Sequence, residues 1–202
     1  HVRMSLPMNL RLLRSLRRLL PVTLATLVGV VPALRAQAPV YRTGKWTADS
    51  FGNHRAVVSV QGASPAVWAH LPWRRPDQHP EKKDVWVVDV KTGQRVMNVL
   101  RGSITREAGD LVFEPVSGPG EYYIYYLRYA GTVTSSYPKL TYPGPDSTAS
   151  ATWLGLFDPR AMRQLPPARV VAFEAADTLD SFYPMQVIAT AAETSQLLSR
   201  SP

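Results

Sequence analysis

The chain has no cysteine among its 202 residues, and this absence excludes several classes of function at once. Without a thiol there is no structural disulfide, no cysteine nucleophile, no cysteine-ligated zinc, no covalent haem and no lipid-modified N-terminal cysteine. Packing alone must hold the fold together. Acidic residues are missing from positions 1–36, where Arg3, Arg11, Arg14, Arg17, Arg18 and Arg35 stand. This basic stretch runs into 16 apolar or small residues from Leu19 to Leu34, followed by Ala36-Gln37-Ala38. The segment falls short of the roughly 20 apolar residues of a spanning helix and is broken by Pro21 and Pro32, so it reads as a signal-peptide helix over residues 1–36. Pro39 would hinder cleavage after Ala38, which favours the Ala36/Gln37 bond. An uncleaved membrane anchor and twin-arginine export through Arg17-Arg18 are the alternatives. His1 stands ahead of Met4 and Met8, which suggests a reading-frame artefact at the start.

Removing residues 1–36 takes six arginines from a balance of 23 basic and 15 acidic residues, leaving 17 minus 15, or +2. The apparent basicity belongs to the leader, and no concentrated basic face remains for nucleic acid. Residues 37–202 are enough for one domain with a proper core and too few for a second large one. The expected compartment is periplasmic or extracellular in a bacterium, with no membrane contact after signal cleavage.

No long helical period occurs between Arg55 and Tyr129. Short runs rich in Val, Trp and Tyr alternate with turn residues instead, which predicts strands. Ala56, Val58 and Val60 share one face of a half-buried strand, with Arg55, Ser59 and Gln61 on the other. Ala66–Trp73 is a second run, and Val85–Val90 is apolar on both faces until Asp89, as in a central strand. A turn through Gly93 leads into Arg95–Leu100, expected to pair back on Val85–Val90. Glu107-Ala108-Gly109-Asp110 signals another hairpin feeding Leu111-Val112-Phe113. Glu121–Tyr129 carries rings on both faces, as a strand in the middle of a sandwich would. Ala130–Ser150 reads as a long loop pinned at Tyr137-Pro138 and Tyr142-Pro143. Ser147, Thr148 or Ser150 can cap a short helix through Trp153 and Leu154, and Pro159–Leu165 adds a turn or two. Arg169–Glu174 reads as a further strand, Asp177 as the cap of a turn through Phe182, and Met185–Leu198 as helical. The expected fold is mainly β, an antiparallel β-sandwich with short C-terminal helices.

The best candidate for ligand contact is His70-Leu71-Pro72-Trp73-Arg74-Arg75-Pro76-Asp77, which gathers a ring, two guanidinium groups and an imidazole at a strand end. The Trp73 face suits the apolar side of a pyranose, while Arg74, Arg75 and His70 suit its hydroxyls. The alternative reading makes Trp73 a packing residue and the arginines solvated or paired. His54, His70, His79, Asp77, Glu81 and Asp84 show no metal-ligand spacing, so no metal and no cofactor is expected. The chain has no Gly-x-Ser-x-Gly elbow and no glycine-rich phosphate loop. Asp84, Glu107, Asp110, Glu114 and Glu121 are available as carboxylates for glycoside hydrolysis, but their turn and edge positions define no pair.

Taken together, Gly52-Asn53-His54-Arg55, Val67-Trp68 leading to Pro72-Trp73-Arg74-Arg75, Pro80-Glu81-Lys82-Lys83-Asp84, Thr92-Gly93, Gly109-Asp110-Leu111-Val112-Phe113, Tyr122-Tyr123-Ile124-Tyr125-Tyr126 and Phe182-Tyr183-Pro184-Met185 resemble a known pattern. It is that of the N-terminal region of bacterial secreted proteins similar to glycoside hydrolase family 123. The resemblance spans nearly all of residues 41–200. It implies a β-sandwich that precedes a catalytic (β/α)-barrel in a longer polypeptide. Characterised members of the family are β-N-acetylgalactosaminidases that use the substrate's own acetamido group, assisted by an adjacent Asp-Glu pair in the barrel. This chain contains no Asp-Glu dipeptide, so that catalytic role transfers to none of its residues, and its end at Ser201-Pro202 agrees with a truncated fragment.

The expectation is therefore a non-catalytic sandwich domain that packs against a barrel of the same polypeptide, in a position to extend its glycan cleft. A free-standing carbohydrate-binding module, a structural cell-envelope protein without sugar contact, and a small hydrolase in its own right are the competing classes.

Overall fold

The computed structural model describes residues 38–75, 77–132, 139–176 and 191–199, all within one compact unit spanning residues 36–202. The expected leader and the Asp177–Phe182 turn lie outside the described residues. Along the chain run β1 (Val40–Thr43), the one-turn helix α1 (Ala48–Phe51), β2 (His54–Val60), β3 (Val67–Leu71), β4 (Trp86–Asp89), β5 (Arg95–Val96) and β6 (Val99–Ile104). Then follow β7 (Gly109–Phe113), β8 (Gly120–Tyr125), β9 (Ala130–Thr132), β10 (Lys139–Thr141), α2 (Ala151–Leu154), β11 (Pro167–Ala175) and α3 (Ala191–Ser199). Tight 3₁₀ turns occupy Pro80–Lys82 and Pro159–Gln164. The fold is mainly β with few short helices, as the alternating Val and Tyr runs require.

Nine strands form one sheet in the order β5-β4-β8-β2-β11-β3-β7-β6, with β1 also on β11. β11 is the pivot. One of its edges runs antiparallel along β2, and the other pairs parallel first with β3, through Pro167 and Ala168, and then with β1, through Ala172–Ala175. The register against β2 slips between Val170 and Ala172, an irregularity of the kind that bends a strand and increases its twist. The sheet turns there from one half into the other.

The ends of the sheet come back toward each other. β5 and β6 stand at opposite ends of the strand order, yet only Met97 and Asn98 separate them in the chain. Arg101 on β6 also reaches across, donating from Nη2 to the Glu81 carbonyl at 2.8 Å. The sheet is thus nearly closed. The strand pairing departs from the sequence reading at two places. Arg95–Leu100 is not one returning strand: Arg95 and Val96 pair with β4, and from Val99 the chain pairs with β7. Part of the stretch read as a loop after Tyr129 is a small antiparallel ladder of β9 with β10.

Alternation explains the core. Ala56, Val58 and Val60 of β2, Val67, Ala69 and Leu71 of β3, Leu111 and Phe113 of β7, Tyr122 and Ile124 of β8 and Phe173 of β11 belong to one buried cluster. Both halves of the sheet therefore share a single apolar interior. Burying each large side chain contributes roughly 1.5–3 kcal/mol, which is how a cysteine-free chain of this size holds its shape. The Tyr122 hydroxyl escapes burial without a partner by donating to the Gly118 carbonyl at 2.9 Å.

The opposite faces are covered too. Behind β3, β7 and β6, the outward residues Trp68, Val112 and Leu100 meet Trp153, Phe157, Met162 and Leu165. α2 starts where Ser150 Oγ accepts from the Trp153 amide at 3.2 Å, as its serine predicts. The Trp153 indole then donates to the Pro65 carbonyl at 2.8 Å, tying the cover to the sheet. Behind β2, β8 and β11, Arg55 is buried rather than facing solvent. Its guanidinium donates to Glu174 Oε2 at 2.6 Å and to the Tyr125 hydroxyl at 2.9 Å, and lies 3.5 Å from the Tyr123 ring centre and 4.3 Å from that of Trp46. The β2 strand is therefore covered on both faces, not half-buried.

Candidate functional site

The fold separates the four residues singled out by sequence. Trp73 is 2% exposed; its indole donates to the Thr105 carbonyl at 2.9 Å and its ring sits 5.0 Å from that of Tyr126. Gly109 leaves the space that this ring fills, because a Cβ there would collide with it. Trp73 is a packing residue, which corrects its reading as a sugar platform. Arg75 is equally buried at 2%, and its fork grips Asp77 through Nε and Nη2, both at 2.9 Å. Lys83 joins the same carboxylate at 2.8 Å. Arg75 is thus held inside the domain and offers no open guanidinium to a sugar. Arg74 and His70 are exposed.

His70 leads to a different cluster. Residues 67, 69 and 71 of β3 point into the core, so Trp68 and His70 point outward; on β7 the same alternation turns Asp110 outward. The register puts His70 directly opposite Asp110. His70 Nδ1–H donates to Asp110 Oδ1 at 2.8 Å, and the Trp68 indole donates to the same oxygen at 3.1 Å. Arg163, from the 3₁₀ turn, reaches Oδ2 with Nη2 at 3.3 Å. The Asp158 carboxylate caps that turn by accepting from the Arg160 amide at 2.9 Å, and Pro159 opens it. Both residues suit the start of a helical turn.

An open cleft of about 330 Å³ lies between the turn and the sheet, lined by Ser103, Asp110 and residues 159–164. The Asp110 side chain is 7% exposed, whereas those of His70 and Arg163 are 46% and 72% exposed. Burial pushes the Asp110 carboxyl upward, but the hydrogen bonds from His70, Arg163 and Trp68 outweigh it and hold the carboxyl below its ordinary value. Asp110 is therefore an ionised anchor and a poor proton donor near neutral pH. It is also the one carboxylate among the lining residues. Glycoside hydrolysis by the usual two-acid route needs a second carboxyl at roughly 5–9.5 Å, and the lining supplies none. Among the described residues, no group of three His, Asp or Glu side chains is placed to hold a metal.

Sequence reasoning reached His70 and offered Asp110 among carboxylates that define no pair, but it joined neither to the other nor to Trp68. The missing signal was cross-strand: two outward residues on β3 matter only once β7 lies beside it. Ser103, Arg163 and Gln164 had no signal, since the turn that brings the last two lies about 60 residues from Ser103 in the chain.

These features define a mainly β domain with a guanidinium-lined, single-carboxylate cleft and a large buried network of arginine, acid and aromatic residues. The family model of the glycoside hydrolase 123 N-terminal domain matches residues 44–176, and the chain belongs to that family. No curated protein and no solved structure matches the chain. The resemblance drawn from the motifs thus holds at the level of the family. Much of what carried it is structural: Arg55, Trp73, Arg75, Tyr122, Tyr125 and Tyr126 bury rings or guanidinium groups, and Asp84 pairs with Arg128 at 2.5 Å.

Proposed function

We propose that this chain is the exported, non-catalytic N-terminal portion of a glycoside-hydrolase-like protein. In this reading, residues 1–36 are a signal peptide, and the two halves of the sheet act as the layers of a sandwich. Residues 37–202 serve to pack against a catalytic barrel of the same polypeptide in carbohydrate degradation. The observation that carries it is the family match over residues 44–176 combined with a cleft whose one carboxylate is already engaged by three donors. The usual two-acid route to glycoside hydrolysis needs a free acid and a second carboxylate; this arrangement suits holding and positioning.

The test joins the site of N-terminal processing to a thermal-shift measurement. The chain, expressed with an export host's own machinery, is expected to be recovered outside the cytoplasm with Gln37 as its first residue. It is expected to raise the thermal midpoint of a family barrel supplied in trans. Recovery of an uncleaved cytoplasmic chain would remove the export claim, and an unchanged midpoint at saturating concentration would remove the packing claim.

A free-standing glycan-binding role is the second reading, and it rests on His70 and its neighbours rather than on Trp73. It is favoured by the exposure of His70 and Arg163 beside the cleft.

A further inference from the structure

The cleft beside Asp110 is unusual in its balance of donors and acceptors. Asp110 Oδ1 already accepts from Trp68 and His70, and Oδ2 accepts from Arg163. Little acceptor capacity is left for the hydroxyl protons of a neutral sugar. Donors, in contrast, are in surplus. Arg163 spends only Nη2 on Asp110, at 3.3 Å, and its side chain is 72% exposed, so Nη1 and Nε bond no described residue. Arg160 is exposed and its guanidinium makes no ion pair with a described residue. Ser103 Oγ–H and the Gln164 amide add neutral donors at the rim. With His70 Nδ1–H committed to Asp110, Nε2 of the neutral ring is an acceptor and donates only in the imidazolium form.

Charge points the same way. The lining holds one carboxylate, Asp110, and two guanidinium groups, Arg160 and Arg163, so the cleft carries a net positive charge before any contribution from His70. Planar guanidinium groups grip carboxylate and sulfate oxygens in pairs, with shorter and stronger bonds than those to neutral groups. The surrounding lining supplies the apolar side: Pro159, Ala161 and Met162. The volume of about 330 Å³ holds one or two sugar rings at the low end of ligand-pocket sizes. We propose that this cleft binds the anionic group of an acidic saccharide, a uronate carboxylate or a sulfate ester, through Arg160 and Arg163. Asp110 is the positioning residue that fixes Arg163 and His70. This deepens the glycan-linked reading above and rests on it.

The experiment is isothermal titration of the whole chain with three saccharides at fixed ionic strength: trigalacturonate, a sulfated κ-carrageenan tetrasaccharide, and uncharged galactotriose. Sodium sulfate is titrated alongside. Binding of trigalacturonate or the sulfated tetrasaccharide, with galactotriose and sulfate at least tenfold weaker, is the expected result; which of the two binds identifies the anion. Arg160→Gln, whose side chain makes no ion pair with a described residue, should weaken binding by tenfold or more without moving the thermal midpoint. Asp110→Asn should weaken it less, and Trp73→Phe not at all. Equal binding of galactotriose, equal binding of plain sulfate, no binding of either acidic saccharide, or full affinity in Arg160→Gln overturns the proposal. Any of these leaves the accessory-domain reading standing, since that reading is tested by turnover and by the barrel.

Discussion

Trp73 and Gly109 pack ring to backbone: the indole of one occupies the space where a side chain on the other would stand. The contact ties the strand end after β3 to the start of β7. It also explains why an aromatic residue followed by two arginines, which looks like a binding motif, lies in the interior.

A methyl group at Gly109 must displace that ring or the strand. Gly109→Ala is expected to lower stability by about 1–3 kcal/mol, the usual cost of overpacking a tight core. Trp73→Ala, which leaves a cavity beside Tyr126, should cost about 3–5 kcal/mol. Urea unfolding monitored by tryptophan fluorescence and circular dichroism measures both. Wild-type midpoints in either variant would contradict the packing described.

Glu174 lies between Arg55 and Arg42, accepting from each at 2.6 Å. The two arginines are not equivalent, since the Arg55 side chain is 7% exposed and that of Arg42 is 55% exposed. Glu174→Ala strands a buried guanidinium and should cost about 3–5 kcal/mol. Arg42→Ala removes an exposed partner and should cost no more than about 1 kcal/mol. Similar losses in the two variants, measured by the same unfolding assay, would show that burial does not set the difference.

Gly52 has φ +75° and ψ −178°, a backbone region open essentially to glycine alone. A Cβ there would also run into the Leu127 carbonyl. Gly52→Ala should therefore destabilise by at least about 1–3 kcal/mol of backbone strain. A thermal midpoint within a degree of wild type would refute the conformation.

Acid should loosen the domain by a route that two carboxylates define. For Asp77, as for Asp110, burial raises the carboxyl pKa, but its hydrogen bonds outweigh that effect: Arg75 and Lys83 hold Asp77 below its ordinary value. A group depressed in the folded state adds stability that is complete above the unfolded value of about 3.9 and is lost as pH falls toward the folded one. Stability should thus be insensitive to these two groups from neutral pH down to about pH 5 and decline below about pH 4. Asp77→Asn/Asp110→Asn is expected to be less stable at pH 7 and to have a shallower acid slope. Parallel slopes in urea titrations between pH 7 and 2.5 would refute the assignment.

Short-range pattern carried much of the fold. Val67, Ala69 and Leu71 alternate inward, Tyr122 and Ile124 do the same, and Ser150 caps α2, all of which follow from residues a few positions apart. Long-range relations were not legible. Nothing local says that one edge of β11 pairs with β3 and then with β1, or that Met97 and Asn98 carry the chain from one end of the sheet to the other. Arg55 was read as solvent-facing because its cover, Trp46 and Glu174, comes from elsewhere in the chain. The site failed for the same reason: His70 acquires a role only through Asp110, 40 residues away.

The central claim is that the chain serves carbohydrate chemistry without performing it. The most direct measurement is release of p-nitrophenol by the purified chain from a panel of p-nitrophenyl glycosides, including the β-N-acetylgalactosaminide. The account predicts release at the buffer rate with every glycoside, unchanged in Asp110→Asn. Turnover above buffer that Asp110→Asn abolishes would contradict it.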